Sequence, residues 1–297
     1  MKIAVTGANS SVGQNLLAHI AAHTEHTVIA GVRSKSAFAS LSASSKITPQ
    51  VISYDSAVGL ANALQGADCI VHLAGILIES KHTSYAEANV EATRTVVDAA
   101  RKLGVRHLVF ISVVGANPAS SNAYFRSKGE AEKLVTAATC GNSVLRTPIL
   151  IGPGTAGANS LLGAASRPKS KVLGGGNYAM RPLDIDDLNQ AIVRCCESGS
   201  GTSTTYELVG PEAISYRNLI SKTAELMGKR VEITSIPIWV AKLGAAVSSR
   251  IKGGGITPAV IDVITADEVV GVNADTALNI SLTPLAATLA KIIGNRK

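Results

Sequence analysis

The sequence predicts an α/β protein: a parallel sheet with helices on both faces, followed by a smaller C-terminal part. Three observations predict it. Short β-branched runs alternate with longer helical patterns through the first half of the chain. Those runs are almost continuously apolar, as strands buried on both faces must be. A glycine-bearing turn, Gly7 to Gly13, joins the first run directly to a helical pattern.

Residues 2–6, 27–32 and 51–54 are the first three strands, with helices over 12–23 and 57–64. A strand at 69–73 precedes a long helical pattern over 83–103. An apolar strand at 107–112, a helix over 121–138 and a strand at 143–150 complete the alternation. This order implies right-handed crossovers. Beyond residue 150 the pattern loosens. Residues 152–157 and 174–176 are glycine-rich turns, and a helix over 187–197 takes Asp186 or Asp187 as its N-cap. A strand at 206–209, helices over 216–227 and 237–247, and a last helix over 285–293 behind Pro284 close the chain. The expected division is 1–150 for the sheet domain and 151–297 for a smaller, interleaved part that shapes a substrate pocket.

Composition narrows the function. Of 297 residues, 46% are hydrophobic and 16% charged, which excludes disorder. No apolar run is long enough to span a bilayer, and Gly7, Asn9 and Ser10 interrupt any signal-peptide layout, so a cytoplasmic protein without stable membrane insertion is expected. A net charge of +7 without a dense basic block, and only 3% aromatics, argue against a nucleic-acid partner. Cys69, Cys140, Cys195 and Cys196 lack metal spacing, and the adjacent pair Cys195–Cys196, in a helical pattern, reads as core thiols. The six histidines form no metal motif, and His72 reads as a hydrogen-bonded core residue; no metal site is expected. Asp184, Asp186 and Asp187 read as helix capping rather than a cation cluster. Gly-x-Ser-x-Gly is absent, which argues against an α/β-hydrolase.

The glycine turn carries the first chemistry. Gly7 permits the tight turn, and Gly13 lets the helix pack closely on the sheet. Backbone N–H groups of Asn9, Ser10, Ser11 and Val12 then open the helix and face a pyrophosphate, with the helix dipole behind them. This makes the sheet a doubly wound, Rossmann-type one. Ser10 and Ser11 stand where a middle glycine is usual, and a serine hydroxyl there can itself bond a phosphate. The alternative is an ordinary turn without a ligand. After the strand at 27–32 comes Arg33-Ser34-Lys35, and no acid lies between His26 and Asp55. An acid there would hold a ribose 2′-OH, whereas Arg33 suits a 2′-phosphate, so NADP(H) is expected over NAD(H). The competing view is a solvated loop end. Asp55 is a candidate for the adenine amino group or a turn cap.

Thr6-Gly7 with Gly13, the strand ending His72-Leu73-Ala74-Gly75, Asn89, and Tyr124-Phe125-Arg126-Ser127-Lys128 together resemble the short-chain dehydrogenase/reductase superfamily. The phrases Leu145 to Gly154, Arg181-Pro182-Leu183-Asp184-Ile185-Asp186-Asp187 and Tyr206 to Pro211 resemble its extended and atypical branches. Within these, the chain is most similar to NmrA-type and complex I NAD(P)H-binding-subunit-like proteins. The resemblance implies that Ala74, Gly75, Lys128 and Pro148 contact the cofactor, Lys128 through the nicotinamide ribose. It implies that Ile149 packs with Pro148 on the nicotinamide, and that Asn89 supports the active-site helix.

Tyr124 and Lys128 lie four apart and share a helix face, where an ammonium would lower the tyrosine pKa and make it a usable acid or base. A surface Tyr/Lys pair is the bland alternative. The third member expected in such a group is Ser112, although the alignment sets the family serine at Val113, and adjacent strand residues face opposite sides. Ser112 is therefore either a catalyst or a structural hydroxyl, with Ser120, Ser121 and Asn122 as fallback donors. The expected function is an NADP(H)-dependent oxidoreductase acting on a carbonyl- or quinone-like small molecule. An NADP(H)-binding regulatory or assembly protein and a sugar-nucleotide epimerase or dehydratase stay open as alternatives. The helical patterns at 83–103 and 121–138 either pair across a homodimer or cover the sheet. The apolar stretch around Trp239 is expected in the core, with a substrate pocket or membrane contact as the alternatives.

Overall fold

The structure is a computed structural model that describes residues 1–199, 201–252 and 254–294. Strand β1 (Lys2–Thr6) runs into helix α1 (Ser11–His23), and β2 (Thr27–Val32) and β3 (Ile47–Val51) follow. Helix α2 (Ala57–Ala63), β4 (Cys69–His72), α3 (Ala92–Leu103), β5 (His107–Val113), α4 (Ala123–Thr136) and β6 (Gly141–Thr147) continue the alternation. Beyond it lie β7 (Leu150–Ile151), α5 (Ala156–Ala165), β8 (Lys169–Leu173), β9 (Ala179–Met180), β10 (Leu183–Asp184) and α6 (Ile185–Ser198). The chain ends with β11 (Ser203–Glu207), β12 (Ile214–Ser215), α7 (Tyr216–Leu226), β13 (Glu232–Ile236), α8 (Ile238–Lys252), α9 (Pro258–Ile264) and α10 (Leu285–Gly294).

Among the described residues, seven parallel strands form the central sheet in the order β11-β6-β5-β4-β1-β2-β3. The chain winds outward from β1 in one direction, then restarts at β4 and winds in the other. This Rossmann-like order puts a crevice between the carboxyl ends of β1 and β4, where ligands enter doubly wound sheets. Leu16, Leu17 and Ile20 of α1, with Leu188, Ile192 and Cys195 of α6, cover one face. Leu60 of α2, Val96 and Ala99 of α3, and Ala131 and Val135 of α4 cover the other. The apolar faces of the two long central helices therefore lie on the sheet. A third cluster, with Leu161, Leu219, Ile220 and Leu289, joins α5, α7 and α10 beside the β8–β13 pair. No described helix is long and apolar enough to cross a membrane.

Several expected elements move, each for a physical reason. The third strand lies at Ile47–Val51, ahead of the apolar Val51-Ile52 pair that suggested 51–54. It is an edge strand with a mostly exposed Thr48-Pro49-Gln50 centre, and edges tolerate proline and polar residues. The 83–103 pattern opens in a π-turn, Ala86–Glu91, before α3. The N-cap of α6 is Asp184, neither Asp186 nor Asp187: the Asp184 carboxylate accepts from Asp186 N, while Asp187 accepts from Thr283. Helix α5 begins inside the glycine-rich 152–157 stretch, with Thr155 as its N-cap. The strand expected at 206–209 is Ser203–Glu207, an edge strand paired with β6. The stretch around Trp239 is not core, because Trp239 is 71% exposed on α8. The Cys195–Cys196 pair fits the expectation of core thiols. All four cysteines are free, Cys69, Cys195 and Cys196 are buried, and the sulfurs of Cys69 and Cys196 lie 3.1 Å apart.

Candidate functional site

The turn after β1 is built by its glycines. Gly7 has φ +73°, a left-handed backbone that a side chain would strain, and a Cβ there would meet Ala74 N at 3.1 Å. A Cβ on Gly13 would stand 2.5 Å from Ala8 O and 2.6 Å from Gly7 O, so α1 rests directly on the turn. Ser10 is the N-cap of α1: its Oγ accepts from Gly13 N at 3.0 Å, which leaves its hydroxyl proton as a donor. No acid occupies the first turn of α1, so the positive end of its dipole is not neutralised from within the helix.

A cavity of about 910 Å³ opens at this crevice. Gly7, Asn9, Ser10, Arg33, Asp55, Ala74 and Gly75 line it, all of them residues singled out in the sequence. Ser11, Val12 and the buried Gly13 continue α1 from that wall, Lys128 and Pro148 are buried, and none of these five is among the lining residues. Arg33 follows β2 directly and is exposed. Asp55 accepts from Ser53 Oγ at 2.6 Å. Sequence reasoning missed Tyr54, which faces the cavity from the loop taken for the third strand. Burial raises its phenol pKa, against the lowering effects of Thr6 and Arg33. Glu87 and Glu91, on the π-turn, also line the cavity.

A buried polar spine supports the crevice. His72 Nδ1 shares a hydrogen with Thr6 Oγ1 at 2.7 Å, and Nε2 with Thr93 Oγ1 at 3.1 Å. Its ring stacks on Phe110. Burial, helped by the Lys128 charge, pushes its pKa down to about 3, so the ring is neutral and structural, as the sequence suggested. Asn89 is buried in the π-turn. Its Oδ1 accepts from Ile76 N at 2.8 Å, and its Nδ2 donates to Ile76 O at 3.2 Å and Ser127 Oγ at 3.0 Å. It thereby ties the loop after β4 to α4, one residue from Lys128.

Helix α4 starts at Asn122, whose Oδ1 accepts from Tyr124 N and Phe125 N. Lys128 Nζ donates to Ile111 O at 2.8 Å and sits 4.1 Å above the Phe110 ring. Burial lowers the Lys128 pKa to about 8, with Glu132 opposing. The same Nζ lies 4.0 Å from where a Gly75 Cβ would be, so the absent side chain keeps the ammonium close to the cavity wall. Tyr124 packs its ring 5.7 Å from Tyr85. Its phenol is raised rather than lowered: burial is the larger cause and Tyr85 the smaller. The expected lowering by Lys128 does not occur, because that ammonium is held by a carbonyl and an aromatic face. Ser112 is buried, and strand alternation sets it on the Phe110 face, where Lys128 rests. Its Oγ has no hydrogen-bond partner among the described residues.

Glu268 was also missed. Its carboxylate accepts from Ile149 N at 3.0 Å and Arg181 N at 2.7 Å, fastening the segment after β6 to the one before β10. Burial raises its pKa against those two bonds. The role joins residues 119 apart, and no local pattern marks it. The paired phrases at Arg181-Pro182 and Gly210-Pro211 meet by packing: a Cβ on Gly210 would clash with Pro182 O.

The family described as NAD(P)H-binding matches residues 7–171. Among curated proteins, the chain is similar to an Arabidopsis thaliana mitochondrial NADH dehydrogenase [ubiquinone] 1 alpha subcomplex subunit 9, 26% identical over 187 residues. That match covers 61% of this chain and 46% of the relative, so the chain spans about half of that protein's length. It is also similar to a Stigmatella aurantiaca 4-hydroxy-2-methyl-3-oxo-4-farnesyl-3,4-dihydroquinoline-1-oxide ketoreductase, 24% identical over 269 residues, covering 82% of this chain and 79% of the relative. Among solved structures, MoeE5 in complex with UDP-glucuronic acid and NAD aligns with a TM-score of 0.77 at 20% identity, covering 100% of this chain and 99% of that one. At that identity the likeness is one of fold.

Proposed function

The chain belongs to the NAD(P)H-binding family, and from that premise we propose that it is an NADP(H)-dependent oxidoreductase reducing a carbonyl- or quinone-like group on a lipophilic small molecule. The observation that carries the reading is the meeting of two halves at Gly75. A cavity running from the Gly7 turn past Arg33 ends on a wall whose other side holds the Lys128 ammonium.

The residues present fit a dinucleotide. Gly7 leaves a left-handed turn without a side chain, the first turn of α1 presents N–H groups with no competing acid, and Arg33 supplies a cation on the same wall. In this reading, backbone N–H groups of the 9–12 segment and the Ser10 hydroxyl hold the pyrophosphate. Gly13 keeps them in place. Arg33 takes the 2′-phosphate bidentately, and Asp55 accepts from the adenine amino group. Ala74 and Gly75 border the central phosphates and ribose, Lys128 donates to the nicotinamide ribose, and Pro148 backs the nicotinamide. When bound, the cofactor supplies a hydride.

Tyr124 supplies the proton. A phenol raised by burial stays protonated at neutral pH, which suits donation to the oxygen of a carbonyl as that oxygen gains charge. The phenolate that remains takes its proton back from water, and Lys128 acts through the nicotinamide ribose rather than on the phenol. Ser112 Oγ, buried and unpartnered on the Lys128 side of the sheet, is proposed to polarise the same oxygen. The farnesyl-bearing ketone named for the Stigmatella relative supports an apolar substrate. A second reading, a cofactor-binding assembly protein without turnover, draws on the Lys128–Ile111 hydrogen bond, which engages the ammonium away from the phenol. Arg33 disfavours an NAD-dependent epimerase. The test is NADPH oxidation against a panel of prenylated and long-chain ketones and quinones. Turnover that disappears in Tyr124→Phe, with NADPH binding retained, supports the proposal. NADPH binding without turnover on any acceptor supports the assembly reading instead.

A further inference from the structure

Helix α8 turns an apolar face to solvent. Trp239, Leu243, Val247 and Ile251 are 71%, 63%, 55% and 77% exposed, and Val240 is exposed beside them. These positions recur every three or four residues, so they form a single stripe along the helix. The inward side is accounted for: Ile238 packs under Gly174, and Lys242 pairs with Asp262 of α9. Residues 238–252 contain three cations, Lys242, Arg250 and Lys252, and no acid. Arg250 is exposed within the stripe itself. A tryptophan at the head of an apolar stripe, with cations and no anions, is the composition of a helix lying in a membrane interface.

The C-terminal end of the stripe leads to a loop that lines the cavity. Gly255, after α8, donates to Glu79 O at 3.1 Å, on the loop whose Ile78 and Ser80 line the cavity. Ala259 O of α9 accepts from Asn122, the N-cap of the Tyr124 helix. Ile256 and Ile78, on the two loops that meet there, are also exposed.

We propose that the exposed face of α8 docks this protein on an anionic lipid bilayer, with the cavity entrance next to the membrane surface. Apolar area alone would suit a second copy of the chain as well. Lys242 is neutralised by Asp262, but Arg250 within the stripe, on a helix that carries no acid and in a chain of net charge +7, selects an anionic surface. The docking does not depend on turnover or on the identity of the cofactor.

The chain contains one tryptophan, Trp239, so its own fluorescence reports the contact. Full-length protein is mixed with phosphatidylcholine vesicles, with or without about 30% phosphatidylglycerol, and emission and co-sedimentation are read. The expected result is a blue shift and sedimentation with the anionic vesicles, at least roughly fivefold weaker on phosphatidylcholine alone. Leu243→Ser/Val247→Ser should weaken binding roughly tenfold, and Arg250→Glu should remove the anionic preference. Both variants alter exposed side chains, and an unchanged thermal melt verifies their folding. Unshifted emission with anionic vesicles would overturn the proposal, as would equal binding to neutral ones. A wild-type dimer without vesicle binding, converted to monomer by Leu243→Ser/Val247→Ser, would assign the face to a second copy and overturn it too.

Discussion

Replacing Gly13 by alanine tests how tightly the turn and α1 are coupled. The new Cβ would stand 2.5, 2.6 and 2.7 Å from Ala8 O, Gly7 O and Ala8 C, all backbone atoms that no rotamer change can move aside. Ordinary contact begins near 3.4 Å, so helix and turn must separate by roughly 0.9 Å, over half the 1.5 Å rise per helical residue. The overpacking should cost about 1–3 kcal/mol of stability. The same shift carries the first-turn N–H groups away from a bound pyrophosphate. A charge-assisted hydrogen bond stretched by that much is largely lost, at about 1.5–3 kcal/mol, which weakens NADPH roughly 10- to 100-fold. Urea unfolding and calorimetric titration of the same sample separate the two effects. Gly163→Ala is the control: it lies in α5 with open space around it, and alanine there should stabilise by up to about 1 kcal/mol and leave binding unchanged. A Gly13→Ala protein with wild-type affinity would refute the coupling of glycine packing to phosphate binding.

Other outcomes follow from the same geometry. Asn89→Ala removes two hydrogen bonds to Ile76 and a buried one to Ser127 of α4, and should cost about 1–3 kcal/mol in urea while lowering kcat more than NADPH affinity. The His72 pKa is lowered from 6.5 to about 3, so the unfolded chain binds a proton that the folded one refuses. The resulting stability is present above pH 6.5 and lost as pH falls from there toward 3, at about 1.4 kcal/mol per pH unit, and urea midpoints across that window check it. Lys128, lowered to about 8, is charged below that pH. NADPH affinity should therefore decline as pH rises past about 8 in the wild type, and follow a flatter profile in Lys128→Met, as titrations from pH 6 to 9.5 will read.

The sheet and the glycine turn were legible because their signals are local. Four strands, β1, β2, β4 and β5, have continuous apolar centres, and Gly7 and Gly13 frame one turn. That Arg33 would lie on the cavity wall was legible from its position directly after a strand. The Thr48-Pro49-Gln50 edge strand was not, because an edge does not need apolar residues. Helical periodicity found α8 but could not say whether its stripe faced core or solvent, and the core was the wrong choice. The partner of Lys128 is a backbone carbonyl, Ile111 O, which no side-chain pattern encodes. Without that contact, the four-residue spacing of Tyr124 and Lys128 wrongly implied a lowered phenol. Glu268 bonds backbone groups far away in the chain, and only the folded geometry reveals it.

The most direct test of the proposed function is calorimetric titration of the purified protein with NADPH and NADH side by side, repeated with Arg33→Ala. Losing a bidentate contact to a 2′-phosphate should cost about 1.5–3 kcal/mol. The expected result is therefore a wild-type preference for NADPH of at least roughly tenfold that collapses in Arg33→Ala, with NADH affinity unchanged. Equal affinities in the wild type, or a preference that survives the substitution, would contradict the role given to Arg33 and with it the assignment of NADP(H).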